Sequence, residues 1–188
     1  MSRKAFFLDR DGVIIEDANY LSRPEQLQLI PGAAEGIRLI REHGYKVIVV
    51  SNQSGIARGY FTLADLEKVE KALAAMLAEN GAEVDAWYYC PHHEKGTVAE
   101  YAVKCTCRKP LPGLILKGAE EHHIDLEKSA MIGDKLSDVQ CAVNAGIKHY
   151  AKVSTGHGSE EQEKGTVPGM IGETSILPAI KRLLEEMP

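Results

Sequence analysis

Five short apolar runs alternate along this chain with segments whose apolar residues recur at helical spacing. Apolar runs of this length, bounded by polar residues or glycine, are typical of strands buried on both faces of a sheet. They predict strands at 5–8, 46–50, 86–89, 129–132 and 149–153. The helical spacing predicts helices at 32–43, 62–80 and 113–122, one ending near 145, and a last one at 176–186. Alternating strands and helices predict an α/β fold, a doubly wound and mostly parallel sheet with helices on both faces.

Two stretches of the chain fit neither pattern. Residues 14–31 are too long for a tight connection between a strand and a helix, and they include the polar run Asp17-Ala18-Asn19-Tyr20. This segment is either a flap over the end of the first strand or a plain surface excursion, and the residues alone favour neither. Residues 155–165 are polar and rich in glycine, which predicts a loop.

Two carboxylates, Asp9 and Asp11, directly follow the first predicted strand, and Gly12 comes next. The carboxyl edge of a parallel sheet is where ligands bind, because the loops leaving the strands diverge there. Side chains two residues apart on extended backbone point the same way, so both carboxylates could share a divalent cation. As an isolated pattern, Asp-x-Asp after a strand is equally well explained as a turn.

Polar side chains follow other predicted strands as well. The second strand ends at Ser51, and the polar segment after it runs from Asn52 through Gln53 and Ser54 to Arg58 and Gly59. Its backbone N–H groups could receive phosphate oxygens, although it lacks the Lys-Ser or Lys-Thr of a phosphate loop. The fourth strand is followed by Asp134, Lys135 and Asp138. Ligand chemistry is therefore expected at one edge of the sheet.

The third predicted strand leads into two tight pairs of metal-ligand residues. Cys90 and His92 are followed, after twelve intervening residues, by Cys105 and Cys107. Three thiols and an imidazole in two pairs are typical of tetrahedral zinc, and a site with four protein ligands is structural. Free thiols or a redox pair is the alternative, and His93 is an alternative ligand to His92. Residues 90–107 are therefore predicted to form a zinc loop.

Arg108 and Lys109 follow the last of these thiols. A loop that is made rigid by a bound metal can hold both side chains in one orientation, whereas an isolated Arg-Lys pair is ordinarily solvated. The remaining histidines show no spacing that suggests a metal site or a catalytic triad and are interpreted as surface or packing residues: His43, His122, His123, His149 and His157.

Composition narrows the possible partners of the chain. With 188 residues and 44% hydrophobic residues, it can build one sizeable core, and a single domain over 1–188 is expected. The net charge of −5 argues against nonspecific binding to nucleic acid or to an anionic membrane. No apolar run approaches membrane-spanning length and no cleavable apolar leader precedes the first strand, so the expected location is the cytoplasm. We expect a monomer, because no apolar stripe is left over after the core helices.

The motifs, in their order, resemble the haloacid dehalogenase superfamily of phosphatases. The shared features are a hydrophobic strand followed by Asp-x-Asp-Gly, a second strand ending in a hydroxyl residue, a lysine, and Gly-Asp-x-x-x-Asp. The resemblance covers about residues 5 to 155. This chain has no large cap domain inserted between the motifs. It implies a magnesium-dependent phosphatase that forms an aspartyl-phosphate and acts on a small sugar phosphate, with histidinol phosphate as the alternative substrate.

The resemblance also implies roles for individual residues. Asp9 would be the nucleophile and Asp11 the general acid and base, and Asp9, Asp134 and the main-chain carbonyl of Asp11 would bind magnesium. Ser51 and Lys109 would hold the phosphoryl group and Arg108 the remote end of the substrate. The other residues implied to line the site are Asp17, Ala18, Asn19, Tyr20, Asn52, Gln53, Ser54 and Lys135, with Cys90, His92, Cys105 and Cys107 holding zinc.

Two positions depart from the pattern of the superfamily. Val13 stands where many members have Thr, and Ser51 stands where similar members often have Thr. Neither change removes an aspartate or the hydroxyl that the chemistry needs. A phospho-acceptor receiver domain or a non-catalytic zinc module is the alternative outside the enzymes, but a receiver has no acid or base two residues after its acceptor.

Overall fold

The computed structural model describes residues 2–160 and 165–187. In this part of the chain, six parallel strands form one sheet in the order β3-β2-β1-β4-β5-β6. The strands are β1 (Ala5–Leu8), β2 (Lys46–Asn52), β3 (Ala86–Cys90), β4 (Ala130–Gly133), β5 (His149–Val153) and β6 (Ile171–Glu173). Because β1 pairs with both β2 and β4, the strand order reverses at β1. In parallel sheets, ligands bind where such a reversal occurs.

Helices cover both faces of this sheet. They are α1 (Ala33–Glu42), α2 (Leu63–Glu79), α3 (Gly113–His122), α4 (Leu136–Ala145) and α5 (Ile176–Glu186). One buried apolar cluster combines residues of α1, α2 and α5, and a second combines residues of α3 and α4. Among the described residues, no helix is both long enough and apolar enough to cross a membrane.

Alternate side chains of β1 enter opposite clusters. Phe6 and Leu8 pack into the cluster under α1, α2 and α5, while Ala5 and Phe7 pack into the one under α3 and α4, and all four are fully buried. A strand buried on both faces carries a continuous apolar run, which explains why this run was visible in the sequence. The predicted doubly wound, parallel α/β architecture is confirmed.

The predicted elements match the structure with shifts of one or two residues at several ends. The helix from Leu63 begins as expected at Thr62, whose side-chain oxygen accepts a hydrogen bond from the Asp65 N–H. The strand β6 was not predicted, because three residues at the edge of a sheet carry little periodic signal. The segment 14–31 contains a short 3-10 helix, Pro24–Gln26, and is otherwise without regular structure. Residues 161–164 of the predicted loop 155–165 lie outside the described residues.

Gly133 offers a stability test of how tightly β4 approaches α4. A Cβ added at Gly133 would overlap the Cβ and the carboxyl group of Asp138 on α4. We expect Gly133→Ala to lower the free energy of unfolding by about 1–3 kcal/mol, since overpacking forces the neighbouring backbone to shift. The measurement is urea unfolding followed by circular dichroism.

The matched control is Gly172→Ala on the edge strand β6, where an added Cβ meets no atom within 4 Å. We expect this variant to be as stable as the parent or slightly more stable, because alanine lowers the entropy of the unfolded chain. Equal destabilisation of both variants would contradict the close approach of β4 to Asp138.

Candidate active site

A cleft of about 670 Å³ opens at the carboxyl edge of the sheet. It brings together side chains from the ends of β1, β2 and β4, from the flap and from the residues that directly follow the zinc loop. The predicted site residues that line it are Asp9, Asp11, Asp17, Asn19, Tyr20, Ser51, Asn52, Gln53, Ser54, Arg108, Lys109 and Lys135. Ala18 lies on the exposed flap and is not among the lining residues.

Lys109 lies buried at the floor of this cleft between two carboxylates. Its Nζ donates to Asp9 Oδ1 at 2.9 Å and to the main-chain carbonyl of Val50 at 2.8 Å, and it lies 2.6 Å from Asp138 Oδ1. Burial lowers the pKa of Lys109, but the charges of Asp138 and Asp9 outweigh it, and the net pKa is raised. The lysine is therefore a fixed positive charge beside Asp9.

Asn52 fixes the main chain from which Lys109 extends. Its side-chain Oδ1 accepts from the Lys109 N–H at 3.0 Å, and its Nδ2 donates to the Lys109 carbonyl at 3.2 Å. Asn52 is the last residue of β2, so the lysine is tied to the sheet at its backbone as well as at its ammonium group. Both contacts support the site assignment predicted for Asn52 and Lys109.

The Asp11 carboxylate has two side-chain partners. Arg10 forms an ion pair with its carboxylate at 3.0 Å, and Gln53 Nε2 donates to Asp11 Oδ2 at 2.8 Å. Gln53 Nε2 also donates to Ser51 Oγ at 3.0 Å, so the Ser51 hydroxyl hydrogen is left to point elsewhere. Arg10 was not identified from the sequence, because an arginine between two aspartates at a strand end is expected to be solvated.

A second group of carboxylates lies deeper in the cleft. One oxygen from each of Asp9, Asp134 and Asp138 lies within 4.8 Å of the others. Asp134 is fully buried, and its Oδ1 has no hydrogen-bond partner among the residues that the structure describes, although its Oδ2 accepts from the His157 N–H at 2.9 Å. Burial, together with the charges of Asp9 and Asp138, raises the pKa of Asp134 to about 8. An unpaired buried carboxylate oxygen beside a second carboxylate fits a hard divalent cation.

The predicted magnesium ligands were Asp9, Asp134 and the main-chain carbonyl of Asp11, and the structure adds Asp138 to this neighbourhood. Asp138 is already paired with Lys109, and its Oδ2 accepts from the Lys135 N–H at 3.0 Å. Its carboxylate therefore holds the lysine and the start of α4. The predicted ligand set stays a prediction.

His157 is the residue of the cleft for which the sequence interpretation is wrong. Its Nε2 lies 2.9 Å from Asp17 Oδ2 on the flap, and its N–H contacts Asp134, so it is not an unassigned surface or packing residue. Thr155 Oγ1 also donates to the Gly12 carbonyl at 2.7 Å. The signal that could have found this segment is its position directly after β5, at the same edge as the other site residues.

The flap brings an aromatic pair to the rim of the cleft. Asn19 and Tyr20 have φ angles of 49° and 61°, in the left-handed region that non-glycine residues seldom adopt. The rings of Tyr20 and Tyr60 meet edge to face, with centroids 4.7 Å apart, and both remain exposed. Of the two explanations left open for the segment 14–31, the contacts of Asp17 and Tyr20 favour the flap.

The zinc loop gathers its four predicted ligands into one cluster. Their ligand atoms all lie within 4.8 Å of one another. The separations are 3.7 Å between Cys90 Sγ and Cys105 Sγ, 3.7 Å between Cys90 Sγ and His92 Nδ1, and 3.4 Å between Cys107 Sγ and His92 Nδ1. Thiolates about 2.3 Å from a tetrahedral zinc ion are about 3.8 Å apart, so the cluster fits zinc. His92, and not His93, belongs to it.

Arg58 and Arg108 place positive charge beside His93 of the zinc loop. Arg58 Nη2 lies 3.2 Å from His93 Nε2, and burial together with the charges of Arg108 and Arg58 lowers the pKa of His93. Arg58 Nε and Arg108 Nη1 are buried without hydrogen-bond partners, and within residues 2–160 and 165–187 neither arginine pairs with a carboxylate. Both arginines line the cleft and are suited to bind an anion.

Comparisons with known proteins agree with this geometry. The haloacid dehalogenase-like hydrolase family model matches residues 6–70, and a HAD-hydrolase-like model matches residues 106–175. The D-glycero-beta-D-manno-heptose-1,7-bisphosphate 7-phosphatase of Escherichia coli K12 is 39% identical over 95% of this chain and 94% of its own. The enzyme of the same name from Haemophilus influenzae is 36% identical over 97% of this chain and 99% of its own.

A solved structure is also similar to this chain in fold and in sequence. The D,D-heptose 1,7-bisphosphate phosphatase of B. bronchiseptica, complexed with magnesium and phosphate, superposes with a TM-score of 0.86 at 33% identity, covering 97% of this chain and 99% of its own. A sheet with paired aspartates and a lysine at its carboxyl edge defines the class as haloacid dehalogenase-like. The chain belongs to the haloacid dehalogenase-like hydrolases and is a phosphatase of the family that includes these relatives.

The raised pKa of Asp134 predicts a pH-dependent stability in metal-free protein. The folded protein binds a proton here with a pKa of about 8, whereas an unfolded aspartate has a pKa of about 3.9. The folded state therefore binds more protons, and the contribution of Asp134 to stability falls as pH rises from about 4 to about 8. Asp134→Asn cannot ionise, so this variant should be more stable than the parent near pH 8 in the presence of EDTA.

Urea unfolding across this pH range, with and without added magnesium, measures the effect. Adding magnesium should stabilise the parent most at the alkaline end, where Asp134 is ionised, and should stabilise Asp134→Asn much less. A parent and variant with the same pH profile, or with the same response to magnesium, would show that Asp134 does not titrate in this way.

The cysteine cluster predicts that replacing a thiol inside it causes loss of zinc, whereas replacing a thiol outside it does not. We expect Cys107→Ser to purify with little zinc and its zinc loop to become sensitive to trypsin at the exposed Lys95 and Lys104, since the metal supplies folding energy to the loop. Cys141→Ser is the matched control, because this buried thiol lies outside the cluster and donates to the Leu111 carbonyl. Elemental analysis and limited proteolysis measure both effects, and retention of zinc by Cys107→Ser would refute the site.

Proposed function

We propose that this chain is a magnesium-dependent phosphatase that removes the C7 phosphate of D-glycero-D-manno-heptose 1,7-bisphosphate. The product would be heptose 1-phosphate, an intermediate in nucleotide-activated heptose synthesis and hence in lipopolysaccharide biosynthesis. The observation that carries the phosphatase chemistry is the contact of Lys109 with Asp9 in a cleft lined also by Asp11 and Ser51. The names of the curated relatives support the choice of substrate.

Asp9 is assigned as the nucleophile in this mechanism. Lys109 donates to its Oδ1, which leaves Oδ2 to attack the phosphorus atom in line with the departing sugar oxygen. The bond between phosphorus and the sugar oxygen breaks as Asp11 protonates that oxygen, and an aspartyl-phosphate remains. Water then attacks the phosphorus and gives a proton to Asp11, which releases inorganic phosphate and restores Asp9.

Neutralisation of negative charge is the main requirement of this chemistry, because an anionic carboxylate must approach a phosphate dianion. Lys109 supplies one positive charge, and the Ser51 hydroxyl is positioned to donate to a phosphoryl oxygen. Magnesium held by Asp9, Asp134 and the main-chain carbonyl of Asp11 would supply further positive charge at the phosphoryl oxygens. Zinc bound by the cluster of Cys90 and its partners would have a structural role.

Arg58 and Arg108 are assigned to the second phosphate of the substrate. Both arginines line the same cleft as Asp9, and neither pairs with a carboxylate among the described residues, which suits a substrate that is anionic at two positions. The acidic balance of the chain supports this assignment, since an anionic substrate must be held by local positive charge. Asp17, Asn19, Tyr20 and Lys135 would contact the sugar between the two phosphates.

The remaining assignments follow the sequence analysis. Residues 1–188 form a single phosphatase domain that acts as a monomer in the cytoplasm, without nucleic-acid or membrane partners. The common sheet, to which both halves of the chain contribute, supports the single domain. The packing of α5 against α1 joins the C-terminal part of the chain to the N-terminal part.

Comparing two substrates tests the role of the arginines. For Arg108→Ala and Arg58→Ala we expect kcat/KM for heptose 1,7-bisphosphate to fall about 10- to 100-fold, since each loses a charged hydrogen bond worth roughly 1.5–3 kcal/mol. For heptose 7-phosphate, which lacks the C1 phosphate, kcat/KM should hardly change. Phosphate release with magnesium is the assay, and both the α and the β anomer of the bisphosphate are measured.

Two further variants serve as controls for this experiment. Asp9→Asn should abolish turnover of every substrate. Arg182→Ala, at an exposed position of α5, should leave kcat/KM for every substrate unchanged. Equal losses with both heptose substrates would show that the arginines do not bind the C1 phosphate. A higher kcat/KM for histidinol phosphate than for either heptose substrate would overturn the proposed substrate while leaving the phosphatase chemistry intact.

A further inference from the structure

We propose that Arg10 is a positioning residue for the proton-transfer group Asp11. The inference rests on the phosphatase chemistry proposed above, because it assigns to Arg10 the task of holding the Asp11 carboxylate where the leaving oxygen departs. Arg10 itself is not among the residues that line the cleft. Its effect on the reaction must therefore pass through Asp11.

The contact between the two side chains fixes the carboxylate at both oxygens. Arg10 Nη2 lies 3.0 Å from Asp11 Oδ1 and 3.0 Å from Oδ2, and Arg10 Nε lies 3.3 Å from Oδ1. Gln53 approaches Oδ2 as a further donor at 2.8 Å. A planar guanidinium that contacts both oxygens restricts the rotation of a carboxylate, whereas a single hydrogen bond leaves it free to turn.

Arg10 is unusual because its side chain is 0% exposed while its partner Asp11 retains 21% exposure. A buried guanidinium is costly, and Arg10 Nη1 has no hydrogen-bond partner within the described part of the chain, so an apolar residue would fill this space at a lower energetic cost. The ring of Tyr89 lies 5.9 Å from the guanidinium carbon and covers it. The pair thus has a shielded cation behind a carboxylate that still faces the cleft.

The backbone at Arg10 is held as firmly as its side chain. The Arg10 carbonyl accepts hydrogen bonds from the N–H groups of Val13, Ile14 and Ile15, at 3.3, 2.9 and 3.2 Å. These contacts fix the tight turn that follows β1 and carries Asp11. Because the turn is already stabilised by main-chain contacts and by buried Val13 to Ile15, the side-chain ion pair is not needed to form it.

The chemistry supplies a way to separate positioning from a purely structural role. An alkyl phosphate such as a sugar phosphate releases a poor leaving group that needs a proton from Asp11, whereas p-nitrophenyl phosphate releases a stable phenolate that does not. The ratio kcat/KM reports events up to loss of the leaving group, so the later hydrolysis of the aspartyl-phosphate does not affect it. A defect in positioning Asp11 should therefore depend on the leaving group.

The experiment measures kcat/KM with heptose 7-phosphate and with p-nitrophenyl phosphate for Arg10→Met and Arg10→Lys. We expect Arg10→Met to lose about 100-fold with the alkyl ester and less than about 5-fold with the aryl ester. Arg10→Lys keeps the buried charge but cannot contact both carboxylate oxygens as a planar fork. It should show an intermediate, still selective loss, and it serves as the folded variant if the methionine variant is unstable.

A double-mutant cycle provides the second readout. Adding Arg10→Met to Asp11→Asn should cause no further loss with the alkyl ester, because an effect that passes through Asp11 disappears with it. The matched control is Arg41→Met, which breaks a similar arginine–aspartate pair, 2.7 Å to Asp85, at the opposite edge of the sheet. This control should keep the parent values of kcat/KM with both esters.

Equal losses with the two esters in Arg10→Lys, or full additivity in the cycle, would overturn the inference and leave Arg10 a structural residue. The proposed function is tested separately by the parent protein. Turnover of either ester by the parent with magnesium supports the phosphatase chemistry whatever the Arg10 variants do, and a parent that hydrolyses neither ester would refute both proposals.

Discussion

The buried ammonium group of Lys109 is the interaction on which the cleft depends. It joins Asp9 after β1, the Val50 carbonyl of β2 and Asp138 of α4. Two carboxylates and a carbonyl oxygen in an apolar setting repel one another unless a cation lies between them, and removing one partner of a buried ion pair typically costs about 3–5 kcal/mol. The same charge that holds three elements together is thus the one that we propose meets the phosphoryl group beside Asp9.

The electrostatics of the cleft floor follow from three buried carboxylates, Asp9, Asp134 and Asp138, that lie beside the buried cation Lys109. Asp9 and Asp138 share Lys109, and Asp11 has Arg10, whereas Asp134 accepts a hydrogen bond from the His157 N–H and keeps one oxygen without a hydrogen-bond partner among the described residues. The raised pKa of Asp134 expresses this deficit of positive charge in the metal-free protein. A divalent cation would remove the deficit, which explains why an acidic centre can bind an anionic substrate.

The sequence predicted the parts of this structure whose signals are local. Apolar runs marked the central strands, and the carboxylates after them marked Asp9, Asp11 and Asp134, because the carboxyl ends of parallel strands all lie at the same edge of the sheet. Arg10 could not be found in this way, since its burial depends on space provided by Tyr89 on β3. His157 was missed because its partners, Asp17 and Asp134, are distant in sequence, and β6 was missed because it is short.

The zinc loop and Lys109 are linked through a short stretch of main chain. Cys107 belongs to the ligand cluster, Asn52 holds the backbone of Lys109, and the Gly113 N–H donates to the Thr106 carbonyl at 3.0 Å. A lysine side chain loses about 2 kcal/mol of rotamer entropy when it is fixed. A main chain that is already anchored on both sides of the lysine adds little further loss of conformational entropy. Because Arg108 shares these anchors, the same stretch of main chain positions both proposed contacts, that of Lys109 with the phosphoryl group and that of Arg108 with the remote phosphate.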